Sequence, residues 1–434
     1  MADNALPHVC VDAFVANALP AWLTSADPDL LSTFHRALDL EQLSSEAVKA
    51  RLKTLPGLET FARPLLQEAL RARGLGEVNI DTAQVVLHDK VAMPSAAPRL
   101  QTPMRALYSK ESLLVAALHN FHESETFPGL HRRAHLQEAN GTVLPLSFEA
   151  FARLCRQLDL GGQYQQQLRT CLFPKARPPA PADFGQRAVE QIFEERLRAA
   201  LDVAVRMARL KGQLTEQDYL ALLPLIAQKP TVPAVTQGFQ PFELFVLGKP
   251  VQRCLVIELR AAANGPMHGL ISWFSDDPAE PIGRHADWTG LYEHLGKRLR
   301  ERRYTQYFAS LIAQRERPAF LAQLAQLKKS PDGSAPLAID GRHFAIEGSV
   351  FASLRKRLLD AMIDDARVLA VPTGDLTQLE RHERIAALKG AGLDVLTLAA
   401  LSVPGLGEVL CVAAAVDVAR EVYDGYEAWQ IGDR

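Results

Sequence analysis

The chain has 434 residues, which at about 100–200 residues per domain predicts more than one domain. Its 48 Lys and Arg residues nearly balance its 50 Asp and Glu residues, which argues against a surface built to neutralise phosphate, so no nucleic-acid partner is expected. The 5 Cys residues form no Cys-x-x-Cys pair, which excludes a disulfide framework and indicates synthesis in a reducing compartment.

The N-terminal half reads mainly as helix. Apolar residues recur three and four positions apart over 29–40 and 58–70, which predicts two amphipathic helices. A β-branched run over 78–88 then predicts a strand. Ser147 is placed to cap a helix over 148–160, which Gly161 and Gly162 follow.

The second half begins with the clearest helix, an amphipathic stretch over 186–210, after which Thr215 is placed to start a shorter one. Strand-forming residues are then concentrated in three runs, 242–247, 253–260 and 269–274, with a weaker candidate at 343–346. The three runs are close enough in sequence to form an antiparallel meander over 242–274.

Stretches rich in Pro or Gly separate these elements and predict linkers or long loops at 92–103, 173–185, 228–241 and 328–336. They divide the chain into four predicted regions: an N-terminal helical segment over 1–91 with its strand near 78–88, a helical domain over 104–173, an α+β domain over 186–327, and a C-terminal helical region over 337–434. The predicted fold class is mainly α (α+β): helical bundles, one small antiparallel β-sheet and a C-terminal apolar helical hairpin.

That hairpin is predicted from residues 395–416, which carry Glu408 as their single charge. As one helix they would reach about 33 Å, enough for a hydrocarbon core of about 30 Å. Pro404 interrupts the run beside two glycines, however, so the arms 385–401 and 406–423 are better described as a helical hairpin.

Two interpretations of the hairpin stay open: a buried antiparallel pair in the core, or a segment that enters a membrane when its carboxylates are protonated. An ionised carboxylate at mid-bilayer costs about 2.5–3.5 kcal/mol. Protonating a glutamate at pH ~5.5 costs only about 1.6 kcal/mol. The membrane interpretation therefore requires acid, and its predicted contact residues are Asp394, Leu398, Leu401, Pro404, Glu408, Val412 and Asp417.

Histidines are concentrated in residues 119–135. His119 and His122 are three apart, and His131 and His135 are four apart, so each pair can share a helix face. Together with a nearby glutamate they are weak candidates for a zinc site. The alternatives are histidines without a special role, or a patch that gains charge between pH ~5 and ~8. We expect no metal and no cofactor.

A polar loop over 272–288 is the best candidate for catalysis. Asp277, Glu280 and His285 have the side chains of a general acid and base, or of ligands for a divalent cation. The alternative is a plain Asp-Asp-Pro turn after an apolar strand. The chain contains no GxGxxG, GxxxxGK[ST], GxSxG or HExxH motif, so no known catalytic signature supports an enzyme.

One basic run, KRLRERRYTQYF over 297–308, can face anionic lipid or nucleic acid. The alternative is the solvated face of a helix whose Leu295, Leu299, Tyr307 and Leu311 point inward.

Several segments, in order, resemble the N-terminal region of the large bacterial dermonecrotic-toxin-like proteins. The matching stretches are LPAWLTSADP (19–28), FARLCRQLDLGGQYQQQL (151–168), ARLKGQLTEQDYLALL (208–223), WFSDDPAEPI (273–282), YFASLIAQRERPAF (307–320), DARVLAVPTGDL (365–376) and residues 392–434. The resemblance covers nearly the whole chain. The matching stretches carry no catalytic residue that can be transferred to this chain.

The resemblance implies a toxin or effector whose N-terminal part supports delivery, with a catalytic domain further along. Some of these proteins end in a novel E3 ubiquitin ligase domain with a Cys-x-Asp motif. Cys10-Val11-Asp12 has those letters, but at the opposite end of the chain, so ligase activity is not expected here. Because the sequence stops at Arg434, we expect a fragment or a short family member.

The leading hypothesis is a non-catalytic module that supports delivery or membrane association of a downstream effector domain. The expected partners are a host or target membrane, that effector domain, and an immunity or host protein. The alternatives are an effector enzyme, a hydrolase or transferase with a cleft near 273–294, and a helical interaction scaffold. No Lys or Arg precedes Arg36, so we expect synthesis in the bacterial cytoplasm without a Sec signal, and secretion or injection by a specialised system.

Overall fold

The computed structural model describes residues 22, 26–92, 104–128, 134–175, 184–227, 238–261, 265–275, 277, 279–329 and 335–375. The predicted hairpin over 385–423 and its seven membrane-contact residues, from Asp394 to Asp417, lie outside these ranges, and so does His131. Within them, no helix combines the length and apolar composition needed to cross a bilayer.

The first part of the fold places helices around a small sheet. Two helices come first, α1 (Pro28–Leu52) and α2 (Leu58–Arg71). An antiparallel sheet of order β2-β1-β3 is formed by β1 (Gln84–Ala92), β2 (Met104–Ser112) and β3 (His135–Gln137). A short helix, α3 (Leu113–His119), follows β2 directly, and a 3-10 turn spans Glu123–Thr126.

Four helices lead to the larger sheet: α4 (Phe148–Leu158), α5 (Leu160–Leu172), α6 (Phe184–Leu210) and α7 (Glu216–Ile226). The strands of that sheet are β4 (Phe239–Val246), β5 (Lys249–Pro250), β6 (Cys254–Arg260), β7 (Met267–Phe274), β8 (Ile282–His285) and β9 (Gly341–Ala345). Its order is β5-β4-β6-β7-β8, and β9 also pairs with β4. The remaining helices are α8 (Trp288–Arg298), α9 (Arg302–Ser310), α10 (Arg317–Leu327) and α11 (Val350–Leu369).

Side-chain caps explain where several helices begin. The Ser147 hydroxyl accepts a hydrogen bond from the backbone N–H of Ala150, and Thr215 caps α7 in the same way through Asp218. These bonds satisfy backbone donors that the first helical turn leaves unpaired. Both predicted helix starts are therefore confirmed, as is the long helix predicted over 186–210.

The prediction of one small sheet is wrong, because the described residues form two. The meander predicted over 242–274 is present as β4, β6 and β7, and the weak candidate at 343–346 is β9. The strand predicted near 78–88 overlaps β1, but the first sheet was missed because β2, its partner, follows a Pro-rich stretch and has no clear alternation. The two strands are consecutive, with Ala92 paired to Met104, so the missing signal was that of β2 and not a large separation in sequence.

The middle of the larger sheet, strands β6 and β7, is buried on both faces, and this positions the polar loop. Strand β6 turns Leu255, Ile257 and Leu259 toward a core shared with α4–α7 and α11. Its Cys254 and Val256 face a second core formed with α8, α9 and α10. The segment that joins β7 to β8 is consequently held against α8.

A close backbone approach fixes the end of α11 on α5. A Cβ added at Gly161 would lie 2.4 Å from the carbonyl carbon of Val371. We expect Gly161→Ala to lower the free energy of unfolding by about 1–3 kcal/mol in urea denaturation, because backbone would have to move apart. Gly374→Ala is the control, since nothing lies within 4 Å of its added Cβ. Equal unfolding midpoints for the two variants would contradict the contact.

Candidate functional site

The structure brings Asp277, Glu280 and His285 to one place, between the β7–β8 connection and α8. Asp277 and Glu280 lie in that connection, and His285 ends β8. Helix α8 supplies His294 and Arg298, which are four residues apart and therefore share a helix face. We call these five residues together with Ser272 the loop cluster.

Asp277 is bound by Arg298 through two parallel hydrogen bonds. The guanidinium donates from Nη1 to Oδ2 at 2.6 Å and from Nη2 to Oδ1 at 2.9 Å. The Asp277 side chain is 0% exposed, and its Oδ1 also accepts the backbone N–H groups of Ala279 and Glu280. The carboxylate is thus saturated with donors, and the Arg298 guanidinium is stacked 3.8 Å from the centre of the Tyr304 ring.

Glu280 is held by the next pair of side chains. Its Oε2 lies 3.3 Å from His294 Nε2 and 4.0 Å from Arg298 Nη1. The hydrogen bond from His294 holds the pKa of Glu280 below its ordinary value, with the charges of His294 and Arg298 adding to this effect against the opposing burial. Glu280 is therefore ionised at neutral pH and is not a proton donor there.

His285 is bound to a serine that the sequence analysis did not single out. Ser272 Oγ and His285 Nε2 are 2.9 Å apart, and burial lowers the pKa of His285 to about 4. A serine beside a neutral imidazole is the pairing found in nucleophilic hydrolases. Here, however, Ser272 is 2% exposed and His285 is 8% exposed, and a Cβ at Gly283 would lie 2.9 Å from the imidazole. A substrate carbonyl cannot reach this hydroxyl unless β8 moves.

Three members of the loop cluster were missed by the sequence analysis, namely Ser272, His294 and Arg298. Ser272 is the one hydroxyl among the buried residues of β7, the others being glycine or apolar, which is a signal that a polar partner is needed. Arg298 was assigned to a basic run that is solvated or faces lipid, and that assignment is wrong for this residue. The catalytic roles suggested for Asp277, Glu280 and His285 stay predictions.

The predicted histidine pairs do not share helix faces. His119 ends α3, with its Nδ1 3.5 Å from Glu111 Oε2, whereas His122 lies outside α3 and caps the following 3-10 turn. His135 begins β3, where its Nε2 is 3.2 Å from Gln137 Oε1. In the part of the chain that the structure describes, no group of three or more His, Cys, Asp or Glu side chains is arranged to hold a metal ion.

Comparison with known proteins adds one match. The sequence model of the family described as "dermonecrotic toxin, N-terminal domain" matches residues 52–315. The matched range exceeds half of the chain and contains both sheets except for β9, together with the whole loop cluster. No curated protein matches the sequence.

Proposed function

This chain belongs to the dermonecrotic toxin N-terminal domain family, and from that membership we propose that it is a non-catalytic module of a toxin. In this proposal it supports delivery or membrane association of an effector domain that lies downstream, and a specialised system secretes or injects it. The family match over 52–315 is the observation that carries the proposal.

The loop cluster supports a module without chemistry of its own. Its two carboxylates are held in ion pairs with Arg298 and His294. Its serine and the neighbouring imidazole are buried. A catalytic acid or base must contact its substrate, whereas buried and mutually paired groups hold strands and helices in register. The cluster is suited to fixing β7, β8 and α8 together.

Membrane association is assigned in this proposal to the apolar segment 395–416, which lies outside the described residues. Glu408 is its single charge, and Asp394 and Asp417 bound it. Because an ionised carboxylate resists the hydrocarbon core, insertion is favoured where the pH approaches the glutamate pKa. An acidified vesicle supplies that condition.

Dye release from lipid vesicles tests the proposal. The wild-type chain is expected to release dye at about pH 5.0 but not at about pH 7.4, following protonation of carboxylates. Glu408→Gln removes the charge, so we expect release to begin at higher pH. Glu408→Lys keeps a charge at both pH values, so this variant is expected to release less dye than the wild-type chain at both.

Negligible release at both pH values by the wild-type chain, with unchanged protease protection of 395–416, would overturn the membrane part of the proposal. Release that is equal in the Glu408→Gln and Glu408→Lys variants would also contradict it, because the two side chains differ in the charge on which the mechanism depends.

A second candidate function, a hydrolase, is favoured by the hydrogen bond between Ser272 and His285. A fluorophosphonate probe followed by peptide mass spectrometry tests it, since such probes react with activated serines. Labelling of Ser272 in the folded chain that is lost in His285→Gln would support the hydrolase. An unlabelled Ser272 would leave the delivery module as the better proposal.

A further inference from the structure

A cleft of about 610 Å³ opens between the end of α1, helix α2 and helix α5, away from the loop cluster. This volume is within the range of about 300–1,000 Å³ that small-molecule sites occupy. Its polar lining is unusual in being almost entirely neutral. The lining side chains that carry the argument are Arg51, Phe61, Gln163, Gln166, Gln167 and Thr170.

Arg51 is the single lining residue with a formal charge. Its Nη2 donates to the backbone carbonyl of Cys171, but its buried Nε has no hydrogen-bond partner. It forms no ion pair with a carboxylate among the residues that the structure describes. The buried Nε cannot be reached from the cleft, so the donors that remain for an anionic group are Nη1 and the second N–H of Nη2.

The glutamines of α5 supply neutral donors and acceptors around that charge. Gln163 and Gln167 each donate from Nε2 to a backbone carbonyl, of Leu158 and Thr54 respectively, which leaves their Oε1 atoms as acceptors. Gln166 is exposed, and the described residues give its side chain no hydrogen bond. The Thr170 hydroxyl donates to the Gln166 carbonyl and can still accept. Paired donors and acceptors of this kind match hydroxyl groups.

Phe61 adds an apolar surface. The residue is half-buried, and its ring packs 5.2 Å from that of Tyr164 while also lining the cleft. A ligand that suits the whole cleft therefore has an anionic group, several hydroxyls and an apolar face. A sugar acid has all three. An acidic peptide would bring several carboxylates to a single cation, and a bare anion would leave the amides and the ring unused.

We infer that this cleft binds an acidic saccharide, with Arg51 bound to the carboxylate and the α5 amides bound to the hydroxyls. The inference deepens the proposed delivery function, on which its biological meaning rests, by naming the chemistry that a target surface would present. Saccharide binding and acid-dependent dye release involve different residues, so either can fail alone.

Calorimetric titration of the full chain tests the inference, with 3′-sialyllactose as the probe and lactose as its neutral counterpart. We expect 3′-sialyllactose to bind at least about tenfold more tightly than lactose, because only the former places a carboxylate against Arg51. Inorganic phosphate is the third probe and is expected to bind more weakly than 3′-sialyllactose. Phosphate binding of equal strength would overturn the saccharide assignment.

Variants separate the roles of the cleft residues. Arg51→Gln is expected to weaken 3′-sialyllactose binding by about tenfold and leave lactose binding unchanged. Gln166→Ala changes an exposed side chain, so it is expected to fold normally and to weaken both sugars severalfold. Arg169→Gln is the matched control, because Arg169 is exposed on α5 and does not line the cleft.

The inference fails if 3′-sialyllactose shows no binding up to about 10 mM, a limit that corresponds to a very weak complex. It also fails if Arg51→Gln and Arg169→Gln bind alike. Dye release from phosphatidylcholine vesicles is the separate readout of the delivery proposal, and Arg51→Gln is expected to leave that release unchanged. Absence of saccharide binding by the wild-type chain, with intact dye release, thus counts against the cleft inference alone.

Discussion

Replacing Arg298 with alanine is expected to lower the free energy of unfolding by about 3–5 kcal/mol, because it leaves a buried carboxylate without its counter-ion. The Asp277 side chain is 0% exposed and loses two hydrogen bonds, of 2.6 Å and 2.9 Å, in this variant. Urea denaturation followed by circular dichroism measures the loss. Arg298→Lys is expected to recover part of it, because a lysine supplies the charge but not the paired donors.

Arg342→Ala is the matched control for this measurement. Arg342 pairs with Asp340 at 3.2 Å, but their side chains are 64% and 57% exposed, so the pair is solvated. An exposed ion pair contributes about 0–1 kcal/mol, so this variant is expected to unfold near the wild-type midpoint. Equal losses of unfolding free energy in Arg298→Ala and Arg342→Ala would show that the burial of Asp277 does not determine how much its ion pair stabilises the fold.

Local signals in the sequence were sufficient to predict where many helices begin. A cap such as Ser147 or Thr215 acts on backbone groups within three residues, so the start of the helix can be predicted from the adjacent sequence. The meander of β4, β6 and β7 was predictable for a related reason, since its strands follow one another closely. The pairing of β1 with β2 was not, although these strands are also consecutive, because β2 has no clear alternation that would identify it as a strand.

The candidate site also depends on contacts between separate elements, which local sequence does not predict. The residue types over 272–288 identified Asp277, Glu280 and His285 as a polar group. Their partners came from elsewhere, because His294 and Arg298 face the loop only once α8 packs against the larger sheet. Helical periodicity describes one helix at a time, so it assigned Arg298 to a solvated face and could not identify the carboxylate that it binds.

Acid is expected to destabilise the fold through His285. Burial lowers the pKa of this imidazole to about 4, whereas it is near 6.5 in an unfolded chain. Between these values the unfolded chain binds a proton that the folded chain does not, so stability rises with pH in this window. The contribution of the neutral imidazole to the free energy of unfolding is complete above about pH 6.5 and is lost as the pH falls toward 4. At about 1.36 kcal/mol for each pH unit, the total loss is about 3 kcal/mol. Urea denaturation at a series of pH values measures the slope.

His285→Gln is expected to flatten that slope, because glutamine can still bond to Ser272 but does not titrate. A shallower dependence should remain, since burial also lowers the pKa of His343, and the lowered pKa of Glu280 adds a loss at more acidic pH. His268→Gln is the control, because His268 is exposed on β7. An unchanged slope in His285→Gln would show that other groups bind the protons. A flattened slope would show that the hydrogen bond between Ser272 and His285, at the edge strand β8, is sensitive to acid. Acid would then lower the stability of the folded part of the chain in the same pH range in which protonation of Glu408 is proposed to allow the apolar segment to insert into a membrane.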